Sequence, residues 1–185
     1  MIPLFCTAYF PPIAYVAIFL QHEEILIETK ETFPKQTYRN RMEIMTAGGV
    51  RTLTVPVIRN NHSRTEEVRI DYKERWNIIH LRTIEAAYSA SPYYLYYKDD
   101  LEQILNQKYN LLINLNDALM QWLLNTLKIP HKLSPTTDFL REYPMDFRNC
   151  FSPKLQYPTK GFPQYYQVFS DRITFTPTSV LLICS

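Results

Sequence analysis

Strand, helix and strand fit within the first thirty residues, and no other feature constrains the fold as tightly. Ile2–Thr7 is a short apolar run, and Ile13, Val16, Ala17 and Leu20 follow at helical spacing. Pro11-Pro12 open that helix, expected over Pro12–Leu20, where proline's missing N–H costs nothing. Glu23–Thr29, EEILIET, is a second, β-branched run. Such a unit closes as a parallel strand pair with a right-handed crossover. The absence of charge over the first twenty-one residues raises a membrane or export segment as the alternative. A signal peptide needs a basic start and a small-residue cleavage site, and a spanning helix needs about 20 apolar residues. Pro11-Pro12 divide this run, so a buried strand and helix, no membrane span and a cytoplasmic protein are expected.

Tyr38–Val57, YRNRMEIMTAGGVRTLTVPV, reads as a β-hairpin turning at Gly48-Gly49. Its second arm alternates Leu53, Val55 and Val57 with Thr52, Thr54 and Pro56, which gives one apolar face. Arg59–Arg64 is a polar loop, and Glu66–Tyr72 a further strand. Lys73–Ala90 is the clearest helix, with Trp76, His80, Thr83, Ile84, Ala87 and Tyr88 on one stripe. Helices over Pro92–Asn106 and Leu111–Leu127 follow, the latter with Leu112, Leu115, Leu119, Trp122, Leu123 and Leu127 as its apolar stripe. Beyond His131 the periodicity weakens. Tyr143–Phe162 has neither helical nor strand period, which in a compact domain marks a functional or disordered segment. Tyr165–Phe169 reads as a strand, and Val180–Cys184 as a final strand or helix start. The last run has no polar tail, so the chain is expected to be shorter than its relatives. The fold class expected is α/β: a single domain over residues 1–185, with a mostly parallel core sheet, an edge β-hairpin and three or more flanking helices.

Composition narrows the chemistry. A net charge of +2 gives no basic excess, so nucleic acid is not implied. Three glycines cannot supply a P-loop or a GxGxxG cradle. Cys6, Cys150 and Cys184 lack metal-ligand or CxxC spacing, and His22, His62 and His131 have no partner at ligand spacing, so no metal site is expected. The residues do not identify a cofactor, which stays unknown at this point.

Several stretches then align with a known family. AYFPPIAYVAIF resembles the PYFxPxxGYF opening of the WbqC-like proteins, and the hairpin sequence resembles their NRNRI…G…LTxPV block. WNIIHLRTIEAAYSASPYY is similar to their WxxKHLxxIxxxYxKAPYF block, and DFRNCFSPK with YYQVF…F…SVLL to their C-terminal portion. The resemblance runs from Thr7 to Leu182. It departs at Thr7-Ala8, where the family has Gln or His before Pro-Tyr, and at Ala14, where it has glycine. The end runs through Ser179-Val180-Leu181-Leu182 to Ser185 in place of SxxDLLFNxG. A tail that closes a pocket in relatives would be altered here. The resemblance implies a role in bacterial O-antigen or polysaccharide assembly, with transfer of glycine or another acyl group to a nucleotide-linked sugar. It carries over no catalytic residues.

The residues themselves nominate a site. His80 shares its stripe with Trp76 and Ile84, so it faces inward, as a general base for an attacking amine or hydroxyl or as a hydrogen-bonded core histidine. Strand alternation sends Arg39 and Arg41 to one face and Asn40 to the other. Two guanidiniums there form a clamp for a diphosphate or acyl phosphate, or else an ordinary solvated face. Tyr9 and Pro11 sit past the carboxyl end of the first strand, where open α/β sheets hold ligands. Asp146, Arg148 and Lys154 lie in the irregular segment, as cleft residues or as a surface pair. Cys150 has no sequence-adjacent activator. The expected partner is a small molecule, a sugar or sugar nucleotide with an acyl donor. The rival reading is a non-catalytic scaffold using Tyr93–Tyr97 as a partner surface. A closed cleft lined by those tyrosines favours the enzyme, and an exposed patch favours the scaffold. Nucleotidyl transfer ranks last, since no carboxylate cluster offers itself to magnesium.

Overall fold

The computed structural model describes residues 1–155 and 168–169. The expected strands at Tyr165–Phe169 (save Val168 and Phe169, which form a turn) and Val180–Cys184 lie outside the described residues. So does the irregular segment past Leu155.

Strand β1 (Leu4–Cys6), helix α1 (Ile13–Phe19) and strand β2 (Glu24–Glu28) form the crossover, with β1 and β2 parallel and Leu4 opposite Leu26. At seven residues α1 is too short to persist alone. It is held by packing: Phe5 meets Tyr15 and Phe19 at ring centroid distances of 4.9 and 5.3 Å. The hairpin is β3 (Arg41–Thr46) and β4 (Gly49–Thr54), antiparallel, with Met42 opposite Leu53 and Ile44 opposite Arg51. Gly49 takes φ 103°, which side-chain-bearing residues rarely adopt, so the tight turn needs glycine there. Strands β5 (Val57–Ile58) and β6 (Arg69–Ile70) form a two-residue ladder. The strand expected over Glu66–Tyr72 shortens to β6 because Thr65–Glu67 winds into a 3₁₀ turn.

Helices α2 (Trp76–Tyr88), α3 (Tyr94–Asn106) and α4 (Leu112–Leu127) follow within a few residues of their expected limits. Five of the six stripe residues of α2 are buried, Thr83 being half-buried. Strand β7 (Lys132–Pro135) then pairs in parallel with β2, giving the order β1-β2-β7. The chain also returns along the free edge of β1. The Leu4 N–H donates to Met145 O (2.9 Å) and the Phe147 N–H to Leu4 O (2.8 Å).

The architecture is α/β. The hairpin forms its own two-stranded sheet beside the parallel one. Its apolar face (Met42, Ile44, Leu53, Val55) builds one core with Trp76, Ile84 and Leu115, while Phe5, Tyr15, Phe19 and Ile25 build a second with Leu123 and Leu124. Helix α4 spans both. At their junction Asn116, 1% exposed, donates to Thr7 Oγ1 (3.1 Å) and to Arg39 O (2.8 Å), tying the end of β1 to the entry of the hairpin.

Candidate functional site

Open parallel sheets place polar chemistry at the carboxyl ends of their strands, and this one does so with a charge network. Glu28 ends β2 and is fully buried. Its Oε1 accepts from the Lys30 N–H (2.8 Å) and the Thr136 hydroxyl (2.9 Å), and its Oε2 from Arg148 Nη1 (3.0 Å). Three donors satisfy a charge that would otherwise be costly to bury. Glu31, just beyond β2, is gripped by Arg39 through Nε–Oε1 (2.6 Å) and Nη2–Oε2 (2.9 Å), a fork with the bidentate geometry that favours arginine. Burial pushes the Glu31 carboxyl above its ordinary range, and Arg39 pulls it back.

Arg148 joins the two carboxylates to the returning chain. It donates to Asp146 through Nε (3.0 Å), to Leu140 O through Nη1 (2.8 Å), and lies over the Phe139 ring at 5.2 Å. Arg39 Nη2 also donates to Arg148 O (3.3 Å). Hydrogen bonding from Arg148 holds the Asp146 carboxyl below its usual value. Asp146 and Arg148 reach this edge because residues 145–147 run along β1.

The network opens into a cleft of about 520 Å³, lined by Lys30, Glu31, His62, Arg64, Arg141, Asp146 and Arg148 among others. Four cations face two carboxylates there. Lys30 pairs with Glu66 (2.7 Å), while among the described residues no ion pair engages Arg64 or Arg141. The polar loop 59–64 forms one wall. Its shape is set by Asn60 Oδ1, which accepts from the His62 N–H (2.9 Å), and by the Phe33 N–H donating to Ser63 O (3.0 Å). The cleft can take an anion of small-molecule size.

The other nominated residues stand elsewhere. Strand β3 begins at Arg41, so alternation does not reach Arg39, and the two guanidiniums form no shared clamp face. Glu31 has drawn Arg39 inward to 1% exposure, and Arg41 is half-buried with Nε unpartnered. Asn40 clips the hairpin end, donating from Nδ2 to Val55 O (2.9 Å). Tyr9 and Pro11 are core residues, and between them Phe10 holds φ 46°, a strained value for a bulky residue. Tyr9 hydroxyl and His80 Nδ1 share a 2.8 Å hydrogen bond, with Trp76 edge-on to the imidazole at 5.2 Å. Desolvation lowers the His80 pKa to about 4, against a hydrogen bond with the Thr54 backbone and with help from the Arg51 charge. His80 is therefore neutral near pH 7, yet 3% exposed. Lys154 is exposed and does not line the cleft. Cys150 is exposed, with burial and Asp146 holding its thiol above the usual value, and Cys6 is buried. Tyr93 and Tyr96 are 54% and 77% exposed beside Leu95, Tyr94 is buried, and Tyr97 packs on Trp122, so these tyrosines present an exposed patch.

Sequence reasoning missed Glu28, Glu31, Thr136 and Asn116. The one signal available for Glu28 was its place directly after the apolar Ile25–Ile27 stretch, at the carboxyl end of an expected strand. Among the described residues no group of three His, Cys, Asp or Glu side chains could hold a metal ion, and no helix is long and apolar enough to cross a membrane.

The WbqC-like protein family model matches residues 7–146, from the end of β1 to Asp146. The chain belongs to the WbqC-like protein family. Uncharacterized protein Rv1507c of Mycobacterium tuberculosis (strain ATCC 25618 / H37Rv) is 30% identical over 134 residues, covering 71% of this chain. The chain spans 55% of that relative's length. No solved structure matches the chain. The WbqC-like match includes Glu28, Glu31, Arg39 and Asp146, and ends two residues before Arg148.

Proposed function

We propose that this WbqC-like chain is a cytoplasmic transferase of bacterial surface-polysaccharide (O-antigen) assembly, acting as one domain over 1–185. It binds a nucleotide-linked sugar in the sheet-edge cleft. The sugar's amine or hydroxyl attacks the carbonyl of an activated donor, an acyl phosphate or thioester of glycine or another acid. An amide or ester forms as the donor's C–O or C–S bond breaks and phosphate or thiol leaves. The observation that supports this is the cation excess of a cleft at the carboxyl ends of parallel strands, with Arg64 and Arg141 in no ion pair among the described residues. Those two guanidiniums and Lys30 meet the diphosphate, since guanidinium forks match phosphate oxygens. Asp146 and Arg148 fix the floor, and Arg39 and Asn40 hold the wall behind it. Glu31 opens on the cleft and takes the proton from the attacking amine or hydroxyl. His80 serves as base only in a form of the protein that uncovers its ring from Tyr9. Tyr9, Pro11, Arg41 and Lys154 do not line the cleft.

The test is a thermal-shift panel of nucleotide-linked amino sugars, glycine, acetyl-coenzyme A and magnesium ATP. A ligand at about 100 times its dissociation constant adds roughly 2.7 kcal/mol, which moves a domain of this size by several degrees. A nucleotide-sugar shift that disappears in an Arg64→Ala/Arg141→Ala variant is the expected result. A shift undiminished in that variant would sink the cleft assignment. One observation favours a second reading: Tyr93, Leu95 and Tyr96 are large apolar side chains exposed at the start of α3, with the two tyrosine rings 6.5 Å apart, the kind of surface a scaffold presents to a protein partner. A flat panel, with a partner interaction lost on Tyr96→Ala, would favour it.

A further inference from the structure

We propose that the groove between the hairpin turn and α2 is a second binding site, for a phosphorylated small molecule held by Arg51 and Arg82. The groove has a volume of about 440 Å³, within the range of small-molecule sites. Its only charged lining residues are these two arginines, one from β4 and one from α2, and no lining residue is a carboxylate. Among the described residues neither guanidinium is in an ion pair, although Glu85 on α2 is occupied by Lys98 (3.4 Å). The placement follows from register. Arg51 lies opposite Ile44, on the hairpin face that packs against α2, and emerges where that apolar face ends. Gly48, Ala86 and Ala87 give the groove a low floor, so a ligand can come close to backbone and to both cations. Two planar forks converging on one groove suit a dianionic group with several oxygens, a phosphate or diphosphate, better than a single carboxylate.

No residue of this groove lines the sheet-edge cleft, so the two sites are tested separately. The groove also has a reporter in the core behind it. The Arg51 charge acts on the His80 imidazole, one turn along α2 from Thr83 in the groove lining. A bound dianion offsets that charge and alters the field at the ring.

The experiment titrates inorganic pyrophosphate into the full chain by calorimetry and follows the His80 ring resonances at neutral pH. Pyrophosphate is expected to bind and to move the His80 resonances. The affinity read at the His80 resonances should fall at least tenfold in an Arg51→Ala/Arg82→Ala variant and persist in Arg64→Ala/Arg141→Ala, which lacks the free guanidiniums of the sheet-edge cleft. The proposal is overturned if the His80 resonances stay fixed at saturation. Unchanged affinity at the His80 resonances in the Arg51/Arg82 variant overturns it too. So does an equal loss on Arg69→Ala, an exposed cation outside both clefts, because that would mark diffuse surface charge.

Discussion

At the scale of single residues, the charges that matter are buried. Glu28 is 0% exposed, and among the described residues Arg148 is the only cationic side chain that bonds its carboxylate. Arg148→Met should cost about 3–5 kcal/mol by leaving an uncompensated buried charge, and the Glu28→Gln/Arg148→Met double variant should recover part of that loss. Urea denaturation reads both. Tyr9 and His80 form a neutral pair whose geometry also sets a pH dependence. His80 has a folded pKa of about 4 against 6.5 in the unfolded chain. The unfolded state therefore takes up the proton first as pH falls. The stability contributed by a neutral His80 is complete above pH 6.5 and shrinks between 6.5 and 4, by about 3 kcal/mol in all. The difference in urea midpoints between neutral and mildly acidic buffer should be smaller in His80→Gln than in the parent protein. Tyr9→Phe should cost about 1–3 kcal/mol through the partner it leaves unpaired.

At the scale of elements, one side chain on α4 couples the parallel sheet to the hairpin. Asn116 donates to the Thr7 hydroxyl and to the Arg39 carbonyl, so it fixes both the strand end and the peptide that aims Arg39 at Glu31. Asn116→Ala should destabilise by about 1–3 kcal/mol, because both acceptors lie in the core. It should also speed hydrogen exchange at Val55, whose N–H donates to the neighbouring Asn40 O (2.8 Å). Exchange unchanged at Val55 would mean the hairpin holds its entry without α4. The same element logic separates what was legible from what was not. The spacing of Trp76, His80, Ile84, Ala87 and Tyr88 marked α2, because a 3.6-residue period survives in sequence. Strand β7 was not legible: Lys132–Pro135 is four residues with one large apolar side chain, and pairing with β2 makes it a strand.

At the scale of the molecule, three segments distant in sequence converge on one cleft: the end of β2, the polar loop 59–64 and the return along β1 at residues 145–148. The exposed cations there are additions to a network already satisfied without them. Arg64→Ala/Arg141→Ala should therefore change stability by no more than about 0.5 kcal/mol while removing the nucleotide-sugar affinity of this cleft. Calorimetric titration alongside a melting curve distinguishes that outcome from general unfolding.

By itself the sequence determined the crossover, the hairpin, the three long helices and their apolar stripes, because periodicity and turn chemistry are local. It also nominated Arg39, Asp146 and Arg148, which the fold brings together. Only the tertiary structure decided what those residues meet. Glu28 and Glu31 are ordinary acidic letters until the fold buries them. Arg39 and Arg41 look equivalent until one faces a desolvated carboxylate and the other does not. An ion pair between residues 120 positions apart, such as Glu28 with Arg148, has no local signature. It is set by which strand edges the chain chooses, and that choice rests on the packing of both cores across α4.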